Sequence, residues 1–321
     1  AAAWILPSVL GPGVAGAIDA MAGWRAVFVA PLVVVPISLA LVGGALRGER
    51  GGARTTDAPR RRTTSSDTRQ LRASFLLAGG LASMTFAGPL LGAPDQTRAV
   101  TGLALVLGGV VVIAGTATRV LPDGTFRLGC GVPSLVALRF VVALAFTGVG
   151  GTIPLMLVQT RGVGPALAGI SLAVTGVLWA AGSWLNSTDA VQRVRPAARL
   201  RTGNTLIAVG GLGPVLLSLG VMGLPAGMVG WGLAALGMGL VSPTLTTEAL
   251  ALAAEHEQGR ASAALGLAST MGVAVPTGVV GAVVALQGAG VDGRTFALLM
   301  GASAAAALVG VAGAGRAWSC G

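Results

Sequence analysis

The feature that most narrows the folds open to this chain is a run of apolar stretches, each about twenty residues long, with almost no charge inside them. As a helix, a stretch of that length crosses the ~30 Å hydrocarbon core of a bilayer. The approximate bounds are 2–19, 26–46, 73–92, 99–118 and 134–158, then 166–187, 203–222, 226–252, 262–287 and 295–315. Composition points the same way: 54% of residues are hydrophobic and 10% charged, where a soluble domain carries about 25% charged residues. A chain this apolar cannot cover itself with a polar surface. The expectation is an all-α polytopic membrane protein of about ten transmembrane helices.

The formal net charge is +10, and all 21 basic residues are arginine. A basic chain can signal nucleic-acid binding, but the arginines follow the spans. If the first span runs from inside to outside, the inner loops and span ends hold seventeen of them, including Arg60, Arg61, Arg62, Arg139, Arg193, Arg195, Arg199, Arg201 and Arg260. The outer side keeps four: Arg25, Arg98, Arg161 and Arg294. That is the positive-inside pattern of a multi-pass protein of the cell (plasma) membrane, with the bilayer as partner and no nucleic acid. The one long connection, 47–72, is rich in Gly, Thr, Ser and Arg and has no apolar periodicity. It reads as a flexible cytoplasmic linker, either solvated or drawn to lipid headgroups by its arginine cluster.

Enzyme chemistry finds little to work with. Gly11-Pro12-Gly13-Val14-Ala15-Gly16 matches the G-x-G-x-x-G dinucleotide fingerprint as a string. That fingerprint needs a strand before it, a soluble helix after it, and an acid about twenty residues on for the ribose. Between Asp19 and Glu49 there is no acid, and the following residues enter another apolar stretch. His256 is the only histidine, so Glu255-His256-Glu257 is a polar loop and not a metal site. The two cysteines, Cys130 and Cys320, lie far apart without a C-x-x-C, which gives no positive support for a disulfide. No enzyme, cofactor or metal is expected.

The same opening stretch resembles something else. Gly11-Pro12 and Gly16 are similar to the G-P and final glycine of the antiporter signature in the fifth span of the major facilitator superfamily, G-x-x-x-G-P-x-x-G-G. Pro7 and Ala15 replace two of its glycines. Trp24-Arg25-Ala26-Val27-Phe28 resembles the opening of the sixth span, and Ile153-Pro154-Leu155-Met156-Leu157-Val158-Gln159 a later segment. Gly237-Met238-Gly239-Leu240-Val241-Ser242-Pro243 and Gly259-Arg260-Ala261-Ser262 resemble a further pair. The chain thus resembles the fourteen-span drug:proton antiporter branch of that superfamily. The resemblance implies a transporter for proton-coupled efflux of small amphipathic compounds or drugs, with protons as the coupling ion. A metabolite permease of the same fold and a non-transporting remnant that pairs with other membrane helices stay open beside it. It also implies a division into 1–46, the last two spans of an amino-terminal half, the linker 47–72, an extra helix pair at 73–118, and a six-span half at 119–321. Counted this way, the chain is expected to be a fragment lacking the first four spans.

Few residues inside the spans are polar, and a charge there costs about 2.5–3.5 kcal/mol even on the lenient scale. Glu248 is a candidate proton carrier, or an interfacial acid paired with Arg260 or Arg139. Arg139 either faces a cavity and neutralises a substrate or snorkels to the inner headgroups. Gln159 either bonds a substrate or marks a helix end. Asp19 and Arg25 flank a tight outer turn and would pair there weakly. Gly169, Ala173, Gly176, Ala180 and Ser183 fall on one helix face, a small-residue seam suited to close helix approach. It is expected to pack against residues 4–18, with Gly11, Pro12 and Gly16 as the signature-helix packing residues. The Gly- and Pro-bearing stretch Met271 to Gly281 echoes that opening element and hints at a repeated design.

Overall fold

A computed structural model describes residues 14, 18, 21–50, 65–91, 95–287 and 290–319. Those residues form helices and short turns, with no strand among them. The helices are α1 (Trp24–Arg50), α2 (Ser65–Leu91), α3 (Gln96–Val120), α4 (Val132–Gly150), α5 (Ile153–Arg161) and α6 (Pro165–Ser187). They continue as α7 (Asp189–Gln192), α8 (Pro196–Ser218), α9 (Leu224–Leu252), α10 (Gln258–Gln287) and α11 (Gly293–Gly313). Among the described residues, five helical stretches are long and apolar enough to cross a membrane: Gln96–Val120, Val132–Arg161, Leu224–Leu252, Glu255–Gln287 and Gly293–Trp318. The all-α membrane architecture expected from the apolar stretches is the one observed.

Local chemistry sets the boundaries. Helices α4, α5, α6, α8 and α9 each carry a proline in their first turn, where its missing N–H costs nothing and its fixed φ suits the helix. Asp95 and Asp292 cap α3 and α11 by accepting from the Thr97 and Thr295 backbone N–H groups at 3.2 and 2.9 Å. Thr295, through its side chain and its backbone N–H, holds the Asp292 carboxyl below its ordinary range. Gly162 ends α5 with φ +61°, a left-handed conformation that glycine adopts without strain.

Several expected boundaries move. Both ends of the expected linker are helical, since α1 runs to Arg50 and α2 begins at Ser65. The span expected at 134–158 is two helices, broken at Gly151-Thr152 just before Pro154. The span expected at 203–222 begins earlier, at Pro196, which lifts Arg199 and Arg201 out of the loop and into a helix. The lack of support for a disulfide is also overturned, because Cys130 is disulfide-bonded. The chain folds back toward this point: the Gly131 N–H donates to the Ala317 carbonyl at 3.1 Å. Cys320 lies outside the described residues.

Glycines replace a conventional core at the helix crossings. Lipid is as apolar as leucine, so helices in a bilayer gain by bringing backbones close. A Cβ at Gly210 would lie 2.5 Å from the Ala234 nitrogen and the Gly230 carbonyl, and one at Gly213 2.7 Å from the Gly227 carbonyl. Gly203 and Gly237 face each other on the same α8–α9 crossing. Gly272 of α10 meets Phe140 and Ala143 of α4, and Gly278 and Gly281 meet Met84 and Gly88 of α2. The Met271–Gly281 stretch is therefore a two-sided packing surface. Helices α2 and α3 clasp each other through Gly80, Gly102 and Gly109.

Candidate functional site

Helix α9 is where the polar chemistry gathers. On the side facing α8, Arg199 Nη2 lies 3.3 Å from Glu248 Oε1. Arg199 is 6% exposed and the Glu248 side chain 19%. Arg199 Nη1 donates to Asn186 Oδ1 at 3.4 Å, and the Thr244 hydroxyl donates to the same oxygen at 3.2 Å. Gln192 secures the Asn186 carbonyl from α7 at 2.6 Å. Three long helices are thus tied by one buried network, in which the Asn186 amide supports the pair while the Arg199 Nε is buried without a partner.

On the side facing α4, Arg139 Nη1 donates to the Ser242 hydroxyl at 2.6 Å. Arg139 is half-buried, and no carboxylate of the described residues lies within salt-bridge distance of it. Two turns further along α4, Phe146 stacks on Trp231 of α9, with ring centroids 4.8 Å apart. Trp179 of α6 meets Phe146 edge-on at 5.4 Å. The Trp231 indole N–H donates to the Thr175 hydroxyl at 2.8 Å, satisfying its polar handle. Gly150 makes the room: a Cβ there would lie 2.6 Å from the Trp231 ring. The α4–α9 seam therefore carries a half-buried cation at one level and, at another, the buried Phe146–Trp231 stack with the half-buried Trp179 at its edge. An apolar, largely preformed lining with a few placed polar groups is how small-molecule sites are built.

Comparison with known proteins decides the family. The family model of the Major Facilitator Superfamily matches residues 1–277. The chain belongs to the Major Facilitator Superfamily. This is a family of membrane transporters rather than of enzymes, so the chain is a multi-pass membrane protein of a transporter family. A search of curated proteins gives no match.

Within this major facilitator chain, the anticipated residues fall out unevenly. Glu248 is an ion-pair acid, but its partner is Arg199 and neither Arg139 nor Arg260. An apolar-window reading put Arg199 in a loop, whereas it lies in the first turn of α8, beside α9. Arg139 bonds Ser242 of α9 through Nη1. Gln159 lies on α5 with its Oε1 buried and without a hydrogen-bond partner, away from the Arg139–Ser242 contact. Its neighbour Arg161 donates to the carbonyls of Leu217 and Met222, tying α5 to the end of α8. Of the small-residue seam, Ser183 and its neighbour Gly182 meet Leu236 and Gly239 of α9, and Ala180 is 9% exposed. A Cβ at Gly169 would meet nothing within 4 Å. Ala173 and Gly176 are half-buried on the same helix. Gly11, Pro12 and Gly16, and most of residues 4–18, lie outside the described residues, as does Asp19. The Glu255–Glu257 turn is exposed, and among the described residues no group of three or more His, Cys, Asp or Glu is placed to hold a metal.

The sequence reading missed the aromatic cluster and the Arg199 network. Pro196 was the available signal for the second, because a proline at that point starts the helix that carries Arg199. The first needed three helices brought together from positions far apart in sequence.

Proposed function

We propose that this chain is a proton-coupled efflux transporter of small amphipathic compounds, in the fourteen-span drug:proton antiporter branch of its superfamily. The observation that carries the reading is the α4–α9 seam, where the Arg139–Ser242 pair and the Phe146–Trp231–Trp179 cluster share one face. A mixed lining of that kind suits compounds with one polar and one apolar end. The branch assignment rests on the resemblance at Gly11-Pro12, Gly16 and Trp24 to Phe28. In this reading Glu248 exchanges a proton and an arginine partner, and Gln159 offers a hydrogen bond to the substrate. The arginine-rich loops, with linker 47–72, lie in the cytoplasm, and the plasma membrane is the site of action. Helices α2 and α3 are the extra pair, a role supported by their close mutual packing and their contact with α10. Gly11, Pro12 and Gly16 pack against the free part of the Gly169–Ser183 face.

The test is export from cells expressing the gene, preloaded with fluorescent amphipathic dyes. Faster loss of dye than in cells lacking the gene, abolished by a protonophore, is the expected result. Equal retention in both, or export indifferent to the protonophore, removes proton-coupled efflux.

A further inference from the structure

Among the described residues, every carboxylate except Glu248 lies in a turn, at a helix end or in the short α7. The sequence has 11 acidic residues. Asp67 and Asp95 begin helices, Asp123, Glu255 and Glu257 sit in turns, Asp189 belongs to the short α7, and Asp292 is a cap. Glu49 ends α1, and Asp19 and Asp57 fall outside the described residues. Glu248 is already engaged by Arg199. Arg139, two turns inside an apolar helix, therefore has a hydroxyl partner and no carboxylate within salt-bridge distance among the described residues. A guanidinium held in a membrane helix without an anion is costly, and its planar fork matches a carboxylate or sulfonate in two hydrogen bonds.

The aromatic cluster lies on the same helix face. Phe146 follows Arg139 by seven positions, which is about two turns and about 10 Å along the axis, nearly in line. Both residues touch α9, Arg139 at Ser242 and Phe146 at Trp231. Trp179 is half-buried and joins the cluster through one edge, so part of its ring is open to a neighbour.

We infer that the substrate class of this seam is an amphipathic organic anion: a carboxylate or sulfonate bound by Arg139 and Ser242, with an aromatic or apolar body against the half-buried Trp179, which the buried Phe146 and Trp231 hold in place. This rests on the proposed transport reading for its setting and sharpens it by fixing the sign of the substrate's charge. A cationic amphiphile would meet the guanidinium's repulsion at the same level of the bundle.

The test uses the full chain in phosphatidylcholine nanodiscs and three probes with one ring system: 1-pyrenebutyrate, 1-pyrenebutylammonium and 1-pyrenebutanol. Saturable energy transfer from the chain's tryptophans to pyrene, corrected with empty discs, reports binding. The carboxylate should bind at least about tenfold more tightly than the ammonium, equivalent to about 1.4 kcal/mol. Arg139→Gln should remove that preference, and Arg139→Lys should keep part of it. Trp179→Leu should weaken all three probes alike, and a melting temperature within a few degrees of the parent shows that Arg139→Gln has folded. An ammonium that binds as well as the carboxylate, or a preference that survives Arg139→Gln, overturns the inference. Carboxylate binding lost in phosphatidylglycerol discs also overturns it, by assigning the site to a lipid headgroup. Arg139-dependent binding without export would instead sink the transport proposal and leave this one standing.

Discussion

Two arginines reach helix α9 from different helices and meet different chemistry there. Arg199, from α8, meets the Glu248 carboxylate and the Asn186 amide and is almost fully buried. Arg139, from α4, meets a serine hydroxyl and is half-buried. Their α9 partners are six positions apart, so they stand about 9 Å apart along the axis and face different sides. The packing around them differs in the same sense. On the α8 side, Gly203, Gly210 and Gly213 bring the backbones together until even a methyl group would collide. On the α4 side, the helices are separated by Trp231, Phe146 and the Arg139 side chain. One side of α9 has its cation paired with a carboxylate from within the chain and its volume filled, with the Arg199 Nε left as a buried atom without a partner. The other has a half-buried cation with no carboxylate beside it among the described residues, and a half-buried Trp179 at the edge of the buried Phe146–Trp231 stack.

This contrast can be broken most severely at the satisfied side. Glu248→Leu leaves the Arg199 guanidinium buried beside Asn186 alone. Removing one partner of a buried pair costs about 3–5 kcal/mol. The melting temperature in detergent should fall sharply, and Arg199→Leu combined with Glu248→Leu should recover most of the loss. A double variant no better than the single one would mean that Arg199 is held mainly by its hydrogen bonds.

The second change makes the two sides alike. Ser242→Asp gives Arg139 the carboxylate it lacks. Thermal stability should be kept within about 1 kcal/mol, the scale of a partly exposed ion pair. The preference for 1-pyrenebutyrate over 1-pyrenebutylammonium should disappear, as measured by the same energy transfer. If the preference is unchanged, Arg139 is not the anion's partner.

Smaller still is Arg139→Gln measured as stability. It removes one charge-assisted hydrogen bond but also releases an uncompensated cation, so the net change in melting should stay within about 1 kcal/mol. A loss as large as that of Glu248→Leu would place Arg139 among the structural groups and erase the contrast.

The smallest effect serves as a baseline for charge outside the bundle. Asp292 caps α11 with its carboxyl held below the usual range by Thr295. A depressed pKa contributes stability that is fully present above the unfolded value of about 3.9 and is lost as pH falls through the folded one. Acid titration of melting should show this step in the parent chain and lose it in Asp292→Asn, which keeps the cap acceptor.

How much of this could be read from the residues follows from how local each signal is. Membrane helices were plain, because twenty apolar residues in a row need no partner to be recognised. The helix starts were legible at Pro133, Pro154, Pro165, Pro196 and Pro225, yet an apolar window places a helix where its hydrophobic residues begin. That rule assigned Arg199 to a loop and hid its pairing with Glu248. Small-residue stripes were legible singly but not as pairs. With 52 glycines in the chain, many helix faces carry them, and which of them meet, such as Gly182 with Gly239 or Gly210 and Gly213 with Gly227 and Gly230, is set only by the fold. Arg139 was recognisable as an intramembrane charge, whereas its neighbours Phe146, Trp179 and Trp231 are joined only by the fold.

The most direct measurement compares the two sides of α9 by thiol accessibility. In a Cys130→Ser, Cys320→Ser background, Ser242→Cys and Ala234→Cys are treated in membranes with a membrane-impermeant methanethiosulfonate, with and without 1-pyrenebutyrate. Position 242 should react and be protected by the probe, and position 234, buried against Gly210, should stay inert in both conditions. An inert position 242, or a reactive position 234, would contradict a substrate path along α4 and α9.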